Sequence, residues 1–167
     1  MTRTSLKEFN CSLAQAAEVI GDKWTLLILR EAFFGTTSFS GFRKNLGVAK
    51  TVLSDRLQSL VDHGVLERAP TRPGVDRHTY RLTAAGRDFF PTLITLMQWS
   101  DKWVFGPGNE PFRIMDRETM SPVQQVGVQA RDGHFLTPRE TTFGPGPGAN
   151  EQTVEALASL KRGSRAD

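Results

Sequence analysis

Arg72, Arg77, His78 and Arg81 crowd into a short stretch that also holds Pro70, Pro73 and Gly74. Cationic side chains beside a tight turn are suited to gripping phosphate oxygens. A second group lies upstream. In the helical run from about Ala49 to His63, Leu53, Leu57, Leu60 and Val61 recur on one side, and Thr51, Val52, Asp55, Arg56 and Ser59 point roughly away from them. Such a face, with Lys50 at its start, can enter a major groove. Arg56 could fork onto a guanine there, and Val52 could touch a thymine methyl. On that reading, Arg56→Ala weakens specific binding by about 1–3 kcal/mol. Taken alone, the same residues are also what a solvated helix face and a soluble hairpin tip look like; order and spacing favour the DNA reading.

Other chemistry is thinly provided. The histidines, His63, His78 and His134, fall on three different elements, and no Cys/His/carboxylate group has metal-ligand spacing. The expectation is therefore no metal, no cofactor and no catalysis. Gly144-Pro145-Gly146-Pro147-Gly148 lacks a preceding strand and a following Lys-Ser/Thr pair, so it reads as a linker and not a phosphate loop. The single cysteine, Cys11, precedes the first helix, where N-terminal amides and the helix dipole favour a thiolate. It is a candidate redox sensor, or else a small, partly buried apolar residue. Trp24, Phe33, Phe89 and Trp103 could enclose a small aromatic ligand, although such residues are more often plain core.

The elements that must position these groups are set by periodicity and punctuation. Leu13, Ala16, Ala17 and Ile20 mark a first helix stopped by Gly21. Lys23 to Phe34 is almost continuously apolar and should be the central, most buried helix. Thr37 or Ser38 can cap a short third helix carrying Phe39, Phe42 and Leu46, closed by Gly47; Gly47-Val48-Ala49 then turns into the fourth. Segments 65–69 and 78–83 flank the Pro/Gly turn as a β-hairpin, with Tyr80 and Leu82 on one face. Thr83 can cap a long last helix from Ala84 to about Phe105, in which Pro91 makes a kink or sits in the first turns. The fold class expected is mainly α with a small β-hairpin wing: a winged helix-turn-helix over residues 1–105, with a long C-terminal dimerisation helix. Residues 106–167 form a C-terminal extension, a small β-appendage turning at Asp132-Gly133 and then an amphipathic helix, 150–162, presenting Val154, Leu157 and Leu160.

Composition agrees with one compact domain plus an appendage: 167 residues, 38% hydrophobic and 23% charged. The net charge of +3 is small, but residues 1–105 carry 14 Lys/Arg against 10 Asp/Glu, and residues 106–167 carry 7 against 8. The basic surplus thus lies where phosphates would be met. One cysteine, no leader-like apolar segment and no membrane-length apolar run suggest a cytoplasmic protein with no membrane partner.

From Phe9 to Phe105 the chain resembles the HxlR-type winged-helix regulators. The likeness rests on Cys11 ahead of the first helix, on Gly21-Asp22-Lys23-Trp24-Thr25-Leu26-Leu27-Ile28-Leu29-Arg30-Glu31, and on Phe39 to Leu46. It continues through Ala49-Lys50-Thr51-Val52-Leu53-Ser54-Asp55-Arg56-Leu57, Gly64-Val65-Leu66 and Tyr80-Arg81-Leu82-Thr83-Ala84-Ala85-Gly86. The resemblance implies a homodimer, built from the first and last helices, on double-stranded operator DNA of roughly two-fold symmetry, more often as a repressor. Several such proteins carry a cysteine where Cys11 stands, and in some it senses oxidants or electrophiles. Phe89, Phe90, Leu93, Leu96, Trp99, Trp103 and Phe105 independently give the last helix more apolar surface than one domain face buries. The extension covering that surface within one chain is the alternative. A winged helix used only for protein–protein contact, with no operator, is the competing function.

Overall fold

The computed structural model describes residues 6–70 and 78–163, the last four of them by backbone only. The chain divides into two compact units: residues 19–126, and residues 1–18 together with 127–167. The boundary after residue 126 lies beyond the 105/106 division expected from composition.

In the first of these, α2 (Lys23–Phe33) starts where the Asp22 carboxylate accepts the Trp24 amide at 2.9 Å. Its inward residues Thr25, Ile28 and Leu29 recur at three and four residues, so the helix occupies the centre. Ser38, the second of the two expected caps, accepts the Gly41 amide at 3.1 Å and opens α3 (Phe39–Leu46). Gly47 ends α3 in the left-handed region (φ 62°), where its amide bonds back to Arg43. Only a residue without a Cβ enters that conformation cheaply. Val48 is buried in the turn, and α4 (Lys50–Asp62) comes next with Leu53, Leu57 and Leu60 buried.

The core is therefore Ile28 and Leu29 of α2, Phe42 of α3, Val48, the three leucines of α4, and Leu66. Leu66 belongs to β1 (Leu66–Pro70), which pairs antiparallel with β2 (His78–Leu82) in the register Leu66↔Leu82 and Arg68↔Tyr80. Tyr80 meets Phe42 edge-on, with ring centroids 6.4 Å apart. The α2–α3 loop adds a third, partial strand: Tyr80 donates its amide to the Thr37 carbonyl at 2.7 Å, and Ser38 bridges Thr79. The turn between the wing strands, residues 71–77, lies outside the described residues.

Thr83 ties the wing to the next helix. Its hydroxyl donates to the Gly64 carbonyl at 2.6 Å and accepts the Gly86 amide at 3.1 Å, capping α5 (Ala84–Asp88). The single long helix expected after Thr83 is in fact interrupted at Phe89: α6 runs Phe90–Ser100, and a π-helical turn, Asp101–Phe105, extends it. The reason is Pro91, which lacks an amide and takes its usual place in the first turn of α6.

The other unit contains α1 (Ser12–Ile20), except for its last two residues, and α7 (Glu151–Gly163). The Gln15 amide donates to the carbonyls of Leu6, Lys7 and Phe9 at 2.9–3.2 Å, folding the preceding segment against α1. Around Asp132-Gly133 the chain doubles back as a short hairpin: Ala130 donates its amide to the His134 carbonyl at 2.9 Å and Leu136 to the Val128 carbonyl at 2.8 Å, on either side of the antiparallel Gln129–Phe135 bridge. The Asn150 side chain accepts the Thr153 amide at 2.9 Å and starts α7, on which Val154 is partly exposed; the Leu160 side chain is not among those described.

Gly86 is the tightest contact in the winged unit, since a Cβ there would drive into the backbone carbonyl of Val65. Gly86→Ala is expected to cost about 1–3 kcal/mol, as overpacking does. The check is the urea midpoint of the variant against that of the parent chain.

Candidate nucleic-acid interface

Burying Leu53, Leu57 and Leu60 turns the opposite side of α4 outward. Thr51, Ser54, Asp55 and Gln58 are exposed there, and Lys50 is exposed at the helix start. Lys50, Thr51 and Asp55 are thus presented as the sequence suggested. Val52 is half-buried and packs on the core, and Ser59 is half-buried, its carbonyl accepting the His63 ring nitrogen at 2.7 Å.

Arg56 departs from the expected placement. It comes three residues after Leu53, so it lies on the flank of the buried stripe and not opposite it. Its Nε stands 3.4 Å from the Asp22 carboxylate, the same oxygen that caps α2, and this nitrogen is enclosed. Arg56 is a strut between α4 and the start of α2. Ser54 and Gln58 take the outward positions in its stead; their four-residue spacing from Lys50 was the signal for them.

Arg43 and Lys44, which sequence reasoning did not single out, complete a basic groove. They are exposed in the last turn of α3 and, with Phe39, Ser40 and Lys50, line a cavity of about 500 Å³. The start of α4 strengthens it. Ala49 offers no side-chain acceptor to the first amides of the helix, which leaves them open to an anion. On the wing, Arg68 and Arg81 are exposed, Arg68 hydrogen-bonds the ring of half-buried His78 at 3.0 Å, and Arg81 sits opposite Glu67. Arg72 and Arg77 lie outside the described residues.

A buried carboxylate holds these parts in register. Glu31, 6% exposed, accepts from Asn45 of α3 at 2.7 Å, from Thr36 of the α2–α3 loop at 3.3 Å and from Arg30 at 2.8 Å. Burial pushes its pKa upward, but the hydrogen bonds from Asn45 and Arg30, with the Arg30 charge, outweigh burial and hold it below the usual 4.5. The loop so fixed is the one that pairs with β2.

The remaining candidates are dispersed. Cys11 is exposed immediately before α1, and its carbonyl accepts the Gln15 amide at 3.0 Å. Trp24 and Phe89 pack against the core, Phe33 tilts against Phe90 with centroids 5.2 Å apart, and Trp103 is 66% exposed on the π turn. These four do not line a common cavity among those described. No three His, Cys, Asp or Glu side chains converge to hold a metal ion among the described residues.

The family model for the HxlR-like helix-turn-helix matches residues 19–106, which is the winged unit through the π turn. The chain belongs to the HxlR-like helix-turn-helix family. Its relatives carry matching names. The uncharacterised HTH-type transcriptional regulator Rv3095 of Mycobacterium tuberculosis is 40% identical over 137 residues, 82% of this chain and 87% of that one. Among solved structures, PA1607, described as a transcription factor, superposes with a TM-score of 0.79 at 40% identity, covering 84% of this chain and 99% of that one. PA1374 from Pseudomonas aeruginosa, likewise only described as a transcription factor, gives a TM-score of 0.64 at 29% identity, covering 87% and 99%. The chain is a transcriptional regulator of the helix-turn-helix type. These matches cover more of the chain than residues 1–106 contain, so the likeness runs on into the extension.

Two measurements test the assignments. Lys44→Ala and Lys50→Ala are each expected to weaken DNA binding alike on all sequences and to lower the slope of log affinity against log salt by about one, whereas Gln58→Ala should reduce discrimination between sequences and leave that slope unchanged. The ionised Glu31 stabilises the fold fully above pH 4.5, and that contribution is lost as pH falls through its depressed folded value. Glu31→Gln should therefore lower the urea midpoint at pH 7 and narrow the difference between the variant and the parent chain as the pH is taken below 4.

Proposed function

We propose that this regulator is a sequence-specific repressor that binds a pseudo-palindromic operator as a homodimer. The observation that carries the reading is the outward polar face of α4 with Arg43, Lys44 and Lys50 beside its start, and on the wing Arg68 on one face of the hairpin and Arg81 on the other. Thr51, Ser54, Asp55 and Gln58 read base edges, and the flanking cations hold phosphates. Of the residues first proposed for DNA contact, Lys50, Thr51, Asp55 and His78 keep that role; Arg72 and Arg77 lie outside the described residues. Arg56, Val52 and Ser59 act through the placement of α4.

Dimerisation is supported by the outer face of α6 and the π turn. Leu96, Trp99 and Trp103, spaced by three and four residues along one side, and Val104 and Phe105 beyond them are each 45–66% exposed, apolar surface of the kind that a second copy covers. Two-fold pairing there sets two α4 helices about one DNA turn apart, roughly 34–36 Å. A dimer seated on a promoter blocks polymerase, which is the basis for repression. Exposed Cys11 supports a further reading, in which an oxidant modifies the thiol and releases DNA; with one cysteine per chain, any disulfide is intersubunit or with a small thiol.

The test is fluorescence anisotropy with the DNA upstream of the regulator's own coding sequence, at two salt concentrations, alongside light scattering. The expected outcome is a dimer that prefers this DNA to random DNA. Trp99→Glu should give a folded monomer that has lost at least tenfold in affinity. Salt-independent or absent DNA binding at every promoter tried would favour a protein-contact module instead. Loss of binding on diamide treatment in the parent chain but not in Cys11→Ser establishes the oxidant response.

A further inference from the structure

Residues 107–125 form a strap over the end of α6 that the family model does not include. Gln98 of α6 fastens it with both ends of its amide, donating to the Gln124 carbonyl at 3.1 Å and accepting the Val126 amide at 2.8 Å. The strap also orders itself. Val123 donates to the Ile114 carbonyl at 2.9 Å, and the Asp116 carboxylate accepts the Glu118 and Thr119 amides at 2.7 and 2.9 Å. Between strap, α6 and π turn lies a cavity of about 500 Å³, a volume typical of small-molecule sites.

Its walls are apolar: Met97 from α6, and Phe112, Ile114, Pro122 and Val123 from the strap. Phe112 is 52% and Val123 39% exposed, so apolar wall surface stands open to water. The charges at the rim, Asp101, Lys102, Glu110 and Arg113, sum to zero. Arg113 reaches Glu110 through two nitrogens at 2.7 and 2.8 Å, and Lys102 lies 4.8 Å over the Trp103 ring beside Asp101. A carboxylate ligand would have to draw Lys102 off the Trp103 ring or displace Glu110 from Arg113, and in either case would face Asp101. The Gln125 amide, also on the wall, has no hydrogen-bond partner among the described residues.

We infer that this cavity binds an uncharged aromatic small molecule of about bicyclic size. Its ring lies against Met97 and Phe112, where sulfur–aromatic and ring–ring contacts favour a π system. A single hydroxyl or carbonyl on it meets the Gln125 amide. The site is distinct from the Trp24, Phe33, Phe89 and Trp103 grouping, and it does not depend on the DNA-binding reading. π turns recur at functional sites, and this one forms part of the wall.

The experiment is calorimetric titration of the full chain with 2-naphthol, and with 2-naphthoate as its charged counterpart. The expected result is one saturable site for 2-naphthol, with Kd on the order of 100 µM, as suits so small a ligand. Val123→Glu, which places a charge in the wall, and Met97→Trp, which fills the space, should each weaken it at least tenfold with unchanged circular dichroism. Absence of saturable binding, or binding that survives both substitutions, overturns the proposal. So does 2-naphthoate binding as tightly as 2-naphthol. Operator affinity of the two variants, measured in parallel, keeps this result separate from the fate of the DNA reading.

Discussion

The rotation of α4 about its own axis is the constraint on which the rest of this molecule turns. Leu53, Leu57 and Leu60 are essentially removed from water against Ile28, Leu29 and Phe42, and full burial of each leucine is worth roughly 1.5–3 kcal/mol. Turning α4 by even one residue would bring Ser54 or Gln58 inward and leave a leucine in water. The stripe therefore determines which residues can face a groove. Arg56 shows how narrow that determination is: one position short of Leu57, it is half-buried and its guanidinium meets Asp22.

Placing the helix is not enough, because the wing must stand at a fixed height beside it. Three short polar links achieve this. Glu31 secures the α2–α3 loop and α3 to α2, that loop pairs with β2 through Thr37 and Tyr80, and Thr83 closes the far end of the hairpin onto Gly64 and Gly86. The first link satisfies the Glu31 carboxylate, which would otherwise be buried without partners, and such a group costs more when orphaned than the bonds return when made. The result is a frame carrying the basic groove of Arg43, Lys44 and Lys50 and the wing, with the only buried carboxylate among the described residues used as a joint and not as a charge for chemistry.

This division explains what could be read from the amino-acid order. The core stripe, the Gly47 turn, the Ser38 and Thr83 caps and the paired wing strands were all legible, because each is a local rule of spacing or capping. Arg56 was misplaced because a rough wheel treats every polar residue as outward, and a flank position beside the stripe is decided by a partner on another helix. Arg43 and Lys44 went unread because basic residues in the last turn of a helix have an ordinary explanation in its dipole. Only their nearness to Lys50 across the turn makes a groove of them. The extension was the least legible part. Its last helix, over Glu151–Gly163, was legible from its spacing, but the order of the strap comes from side-chain-to-backbone bonds, such as those of Gln98 and Asp116, which leave no periodic trace.

The modest charge of the chain bears on how such a regulator finds its site. With a net charge of +3, long-range attraction to DNA is weak, so binding to random sequence rests on the few cations of the groove and the wing. Each phosphate contact carries the same salt penalty on any sequence. On the proposed reading, discrimination then comes from short polar side chains on α4, whose individual contributions are small. Coupling two such faces in one symmetric assembly doubles the base contacts for a single loss of translational freedom. The apolar face of α6 and the sparse cationic surface are in this sense complementary: a monomer with so few contacts would dwell little longer on its operator than elsewhere, whereas a dimer multiplies the ratio of the two.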